Sequence, residues 1–149
     1  MDRAAIEALI PHRAPFLFVD RVVAHGADSI ETEWRVAEDS FFFRGHYPGF
    51  PLVPGVLLCE AAVQAGALLA ALEPREATPV GQVPVLVKLG EARFRRMVRP
   101  SETLRFRVSL DERIGPARLM TARVTSDGKN VARVAFTVAL TSIEAGELA

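Results

Sequence analysis

The chain has 149 residues, half of them hydrophobic, and its 18 basic residues balance 18 acidic ones. That length fits one domain with a substantial core, and the apolar content excludes disorder as the main state. Balanced charge leaves no global field for nucleic acid or an anionic membrane surface, so a charged partner has to meet a local patch.

Arg3 to Leu9 has helical composition, and Pro11 ends it, because proline disfavours α geometry in the residue before it. The stretch 15-PFLFVDRVVAHGADSIETEWRV-36 reads as two strands around a turn at His25-Gly26-Ala27-Asp28. A loop stiffened by Pro48, Pro51 and Pro54 then leads into an apolar run from Val56 to Leu72. Its 17 residues lie at the lower edge of a bilayer span, but it is alanine-rich and holds a glutamate and a glutamine, so a buried helix is expected and no membrane span. The breaker-rich 74-PREATPVGQVP-84 reads as an exposed connection.

Four β-rich runs follow, at 85–98, 102–110, 118–126 and 130–140. Leu104, Phe106, Val108 and Leu110 alternate with Arg105, Arg107 and Ser109, which separates an apolar sheet face from a polar one. Asp127-Gly128 suits a hairpin turn. The expected fold is α+β, a single domain over residues 1–149 in which an antiparallel sheet is covered by one long helix. Because that helix is apolar on nearly all sides, one sheet face is not expected to bury it, and a second subunit is the natural complement. The single cysteine, Cys59, cannot form an internal disulfide and no signal peptide opens the chain, which together favour a reducing cytoplasm.

The chemistry concentrates in 41-FFFRGHYPGFPLVPGVLLCEAAVQAG-66. Setting the thiol aside, Glu60 and Gln64 are the only polar side chains of the apolar run, and a spacing of four lets them hydrogen-bond. They share a stripe with Leu57, Ala61 and Leu68, and an acid in such a stripe is costly unless it is paired, hydrogen-bonded or protonated. His46 supplies a titratable imidazole, and Gly55 opens the helix, where first-turn N–H groups lack intrahelical acceptors and can hold a carbonyl oxygen gaining negative charge. A base, a proton-bearing carboxyl and an oxyanion donor suit removal of a proton next to a thioester carbonyl and protonation of a leaving hydroxyl.

Each piece also has an ordinary structural reading: a lone loop histidine is commonly just a hydrogen-bonded residue, whereas a glutamate in an apolar helix is the stronger signal. Cys59 reads as packing, since no base is evident beside it. His12 and His25 sit in turn-like contexts and are expected to be solvated, and three histidines without ligand spacing give no expectation of a metal.

Phe43-Arg44-Gly45-His46-Tyr47-Pro48-Gly49, then Pro51, Pro54-Gly55-Val56-Leu57, Glu60-Ala61 and Gln64 resemble the signature of the β-hydroxyacyl-acyl-carrier-protein dehydratases of FabZ type. The likeness extends to 10-IPHRAPFLFVDRV-22 and 91-EARFRRMVRP-100, and glutamate at position 60 resembles FabZ rather than its FabA relative, which carries aspartate there. The resemblance implies a hot-dog fold, a curled antiparallel sheet wrapped around one long central helix, in a homodimer or a hexamer built as a trimer of dimers. It implies that His46 takes the α-proton, Glu60 of the partner protonates the departing β-hydroxyl, the Gly55 N–H holds the thioester oxygen and Gln64 orients the carboxyl. The substrate would be a 3-hydroxyacyl thioester of acyl-carrier protein or coenzyme A, the product a trans-2-enoyl thioester, with no cofactor or metal.

The sequence departs from the family pattern around the acyl tunnel, where Leu57, Phe50 and Lys88 are the expected lining. Val85-Leu86-Val87 lacks the usual aromatic residues, Lys88 replaces a small residue and Phe50 a basic one, and Pro100-Ser101-Glu102 stands for a Pro-Gly-Asp turn. Arg93, Arg95, Arg96 and Arg99 offer a basic patch to an acidic carrier, although strand arginines are by default a solvated face. Two alternatives stand beside the dehydratase: a hot-dog acyl thioesterase and a non-catalytic acyl-binding subunit.

Overall fold

The computed structural model describes residues 1–74 and 81–142. Helix α1 (Arg3–Leu9) starts where the Asp2 carboxylate accepts the Ala5 N–H at 3.1 Å, an N-cap bond. Strands β1 (Arg21–His25) and β2 (Ser29–Arg35) follow, then a 3₁₀ turn at Phe41–Arg44 and helix α2 (Gly55–Ala71). Four more strands complete the chain: β3 (Gln82–Phe94), β4 (Thr103–Ile114), β5 (Ala117–Ser126) and β6 (Lys129–Ser142). The strands form one antiparallel sheet in the order β1-β2-β4-β5-β6-β3.

Both expected turns are present. The Gly26 N–H donates to the Ser29 carbonyl at 2.8 Å across the β1–β2 turn. Asp127 and Gly128 are both left-handed, with φ of 51° and 75°, which is the turn geometry that matches the right-handed twist of the flanking strands. The alternation in β4 also holds: Leu104, Phe106 and Val108 are buried, while Arg105 and Arg107 stand opposite Glu33 and Glu31 of β2. Arg105 bridges both glutamates, at 2.9 and 2.8 Å, in a half-buried ladder that penalises register slips.

Two strand assignments are corrected. The run from Phe16 to Val19 is not a strand, although Leu17, Phe18 and Val19 are buried. Its backbone is satisfied by a side chain instead: the Phe18 N–H donates to Gln64 Oε1 at 2.8 Å, and Gln64 Nε2 donates to the Phe16 carbonyl at 3.1 Å. The segment is thus stitched to α2, leaving β1 to begin at Arg21. At the far end, β3 takes in Gln82 and the buried Pro84 from the expected connection, the rest of which lies mostly outside the described residues. Proline is admissible there because β3 is an edge strand. The same strand stops at Phe94 rather than 98, since Val98 turns to accept the Val53 N–H at 2.9 Å.

The sheet curls around α2, and every residue from Ala61 to Ala70 is buried within the single chain. This corrects the expectation that the helix needs a second subunit to cover it: Ala61, Ala62, Ala65, Gly66 and Ala67 are small enough for the sheet to close on them. On α2 the exposed apolar residue is Val56 in the first turn, and a run of uncovered apolar side chains lies on β3, at Leu86, Val87, Leu89 and Phe94, and on Met97 just beyond it. The fit at Gly66 is tight, because a Cβ there would sit 2.6 Å from two Phe136 ring carbons and 2.8 Å from Met120 Sδ. Gly66→Ala is therefore expected to destabilise the fold by about 1–3 kcal/mol, read as a lower urea midpoint at unchanged slope.

Candidate active site

The loop carrying His46 is fixed by backbone bonds before any side chain acts. The His46 N–H donates to the Phe42 carbonyl at 3.0 Å, which continues the 3₁₀ turn, and the Leu52 N–H returns to the His46 carbonyl at 3.0 Å. The imidazole stacks on Tyr47, with centroids 4.2 Å apart. Its Nδ1 lies 3.0 Å from the Leu52 carbonyl, an acceptor only, so Nδ1 carries the hydrogen and Nε2 keeps its lone pair. A chain of aromatic contacts, Phe18–Trp34 at 4.9 Å and Trp34–Phe42 at 6.3 Å, ties this turn to the segment clamped by Gln64.

Pro54 caps α2, and the N–H of Leu57 already uses the Pro54 carbonyl at 2.9 Å. The Gly55 N–H has no acceptor among the described residues and stands at the positive end of a helix 17 residues long. Gly55 and His46 line the same cavity of about 620 Å³, with Leu52, Val53, Leu58 and the stretch from Phe94 to Val98. A Cβ at position 55 would come within 3.2 Å of the Phe94 ring, so a larger residue fits there only if that ring moves by a few tenths of an ångström.

Glu60 faces another way. Five residues beyond Gly55, it is rotated by more than a third of a turn and points at the segment before β1. Gln64 Nε2 donates to Glu60 Oε1 at 3.0 Å, and His12 Nε2 lies 3.6 Å from the same oxygen. No hydrogen bond or ion pair joins His46 to Glu60 within the chain among the described residues. His12 is not solvated as expected: its side chain is 25% exposed and Nδ1 is buried without a partner. Burial pushes its pKa below the ordinary histidine value, with Arg13 adding to the effect and Glu60 opposing it. His25 is exposed.

The remaining candidates are distributed as follows. Cys59 is buried, and burial pushes its thiol above the ordinary range, as suits packing. Phe50 is exposed under the guanidinium of Arg99, 4.4 Å away, and Leu57 is partly buried against the core. Lys88 lines a separate depression with Gly90, Asp111 and Thr121. None of these three reaches the His46 cavity within one chain. Two of the four candidate arginines are neutralised: Arg93 pairs with Glu91 and Arg96 with Glu102 at 2.7 Å, which leaves Arg95 and Arg99 without carboxylate partners among the described residues. Burial alone pushes the Glu102 carboxyl up, but the Arg99 N–H, Ser126 and Arg96 outweigh it and hold the group below its ordinary value. Ser101 takes φ of 71° in the turn before it, so this turn keeps a left-handed corner without glycine.

Sequence reading missed Phe94, Arg95 and Met97 as cavity walls and His12 as a neighbour of Glu60. The available signal was an apolar residue exposed on each side of two arginines in 91-EARFRRMVRP-100. Among the described residues no group of three or more His, Cys, Asp or Glu side chains gathers to hold a metal, and no helix is long and apolar enough to cross a membrane.

The profile of the FabA-like domain matches residues 10–135. A 3-hydroxyacyl-[acyl-carrier-protein] dehydratase FabZ from Anaeromyxobacter sp. (strain K) is 37% identical over 145 residues, covering 97% of this chain and 93% of its own. The protein of the same name from Chloroflexus aggregans is 44% identical over 108 residues, covering 71% of this chain and 72% of its own. Among solved structures, the dehydratase heterocomplex ApeI:P from Xenorhabdus doucetiae superposes with a TM-score of 0.76 at 13% identity, over 92% of this chain and 91% of that one. A hypothetical thioesterase protein with coenzyme A from Streptococcus pneumoniae superposes with a TM-score of 0.62 at 15% identity, over 84% and 88%. The curled sheet around α2 is the expected hot-dog fold. With its motifs, its fold and near full-length relatives in agreement, the chain belongs to the FabA-like family, among the FabZ-type dehydratases.

Proposed function

We propose that the protein dehydrates 3-hydroxyacyl thioesters to trans-2-enoyl thioesters in fatty-acid biosynthesis. The observation that carries this reading is the contact of His46 Nδ1 with the Leu52 carbonyl, which leaves Nε2 as the base of a neutral ring, in a residue that lines one cavity with Gly55. The thioester oxygen accepts from the Gly55 N–H while His46 Nε2 removes the α-proton. The released electron pair forms the new double bond as the β-carbon–oxygen bond breaks. Glu60 gives its proton to the departing hydroxyl, which leaves as water, and solvent returns the enzyme to its starting protonation state.

Since Glu60 and His46 face different ways, the working site takes His46 and Gly55 from one copy and Glu60, held by Gln64, from a second. A homodimer is the smallest assembly that supplies this, and the apolar edge strand β3 is the surface that suits the partner. Pairing there would complete an acyl tunnel, with Leu57, Phe50 and Lys88 as its proposed further lining; a hexamer of three such dimers is compatible. Arg95, exposed at the cavity mouth, suits the acidic surface of an acyl-carrier protein or the phosphates of coenzyme A. A reducing cytoplasm suits the unpaired Cys59.

Purified protein is expected to interconvert a 3-hydroxyacyl thioester and its enoyl product without releasing free thiol, followed by enoyl absorbance and a thiol-trapping reagent in parallel. Glu60→Gln is expected to lose most of that rate. Thiol release without enoyl formation would instead make the protein a thioesterase, and tight acyl binding without turnover an accessory subunit.

A further inference from the structure

We infer that His12 is a positioning residue for Glu60, holding its carboxyl so that the oxygen carrying the proton faces the leaving hydroxyl. This inference rests on the dehydratase reading of Glu60 given above. Among the described residues, Glu60 Oε1 accepts from Gln64 Nε2 at 3.0 Å and has His12 Nε2 3.6 Å away, whereas Oε2 accepts no hydrogen bond. A carboxylic acid whose one oxygen is committed as an acceptor bears its proton on the other. The two donors therefore assign the proton to Oε2, the oxygen left for substrate.

Both donors are themselves held. Gln64 is locked by Phe16 and Phe18, as described, and the backbone carrying His12 is wrapped by the guanidinium of Arg13. That group donates to the carbonyls of Ile10 at 2.9 Å, His12 at 2.7 Å and Glu7 at 2.9 Å. The ring of His12 has one polar direction open to it. Its Nδ1 is buried without a partner, so the tautomer with hydrogen on Nε2 avoids an orphaned buried N–H and aims the only ring donor at Glu60. Burial, with Arg13 adding to it, favours the neutral ring, so His12 faces the Glu60 carboxyl as a neutral donor and not as half of an ion pair. At 3.6 Å the contact is longer than a hydrogen bond, and catalytic hydrogen bonds tighten from such distances when substrate binds.

The test uses the full-length protein and a 3-hydroxyacyl N-acetylcysteamine thioester. His12→Ala and His12→Phe are expected to lower kcat by about 10- to 100-fold through misplacement of the acid, with KM nearly unchanged. His12→Gln, which keeps an N–H donor at similar reach, is expected to recover most of the loss. In a Glu60→Gln background His12→Ala is expected to add nothing, since the two act as one unit. Wild-type kcat in folded His12→Ala, or additive losses in the double variant, would overturn the inference while leaving the dehydratase reading intact. A wild-type protein without dehydration would remove both.

A second readout is independent of turnover: the ¹⁵N resonances of the His12 imidazole are expected to shift in Glu60→Gln, which changes the group facing Nε2. Resonances that ignore Glu60→Gln would overturn the proposed contact.

Discussion

His46→Ala is expected to lower kcat by about 10²- to 10⁴-fold, the usual worth of a positioned general base, with the fold left intact. The loop keeps its shape without the imidazole, because the bonds from the Leu52 N–H to the His46 carbonyl and from the His46 N–H to Phe42 belong to the backbone. Only the Nδ1 bond to Leu52 and the stacking on Tyr47 are lost, both at a half-buried side chain. An unchanged melting temperature with collapsed turnover is the pattern that assigns the loss to chemistry. Mixing inactive His46→Ala and Glu60→Gln proteins, with subunit exchange, then tests whether sites are shared. If each site draws on two copies, half the random dimers are mixed and each has one intact site, so about a quarter of wild-type activity returns. If each chain carried a whole site, no mixture would recover activity.

The largest effect on stability is expected at the far end of α2. Glu73 and Arg118 form a two-point ion pair, Nε to Oε1 at 2.8 Å and Nη2 to Oε2 at 3.0 Å, with side chains only 3% and 5% exposed. Arg118 also donates to the carbonyls of Gly115 at 2.8 Å and Ala117 at 3.1 Å, and Arg113 reaches Glu73 at 3.4 Å. A carboxylate just past the negative end of a helix is unwelcome to the dipole, so the guanidinium beneath it is what allows it to stay. Glu73→Ala is expected to cost about 3–5 kcal/mol by stranding a buried cation, measured by urea unfolding. For a domain of marginal stability this leaves little margin. Replacing both partners with methionine is expected to come out near neutral, because the pair's attraction and its desolvation largely cancel. Similar losses in the single and double variants would show that the ion pair itself, rather than the stranded charge, holds the helix end.

The parts of the fold that were legible in the sequence are those set by local pattern. The period-two alternation of β4, the β-rich run of β5, the turn at Asp127-Gly128 and the apolar run of α2 all appear within a residue or a few of their expected positions. Misreadings arose where a distant group replaced a local one. The stretch Phe16 to Val19 has strand composition, but its backbone bonds go to a glutamine 46 residues away. The helix was expected to need a second subunit because composition does not reveal how far a sheet can curl around alanine and glycine. Spacing and family likeness singled out His46, Gly55, Glu60 and Gln64, and the structure sets the first two on one cavity and bonds the last two to each other on another face. His12 was not, because a turn-like neighbourhood in sequence says nothing about which helix face lies beneath it.

The single amide of Gln64 has a consequence for how this protein can change. Its oxygen takes the Phe18 N–H, and its nitrogen serves both the Phe16 carbonyl and Glu60, so the group cannot be flipped without losing every bond. Glutamate of the same shape would turn a donor into an acceptor against two oxygens. Leucine would leave three polar groups wanting partners, the buried Phe18 N–H among them. Substitution at this position therefore cannot change the contact to Glu60 without loosening the segment from Phe16 to Phe18. The hold on Glu60 and the hold on the chain before β1 pass through one side chain, and a lineage that abandons one of them has to rebuild the other at the same step.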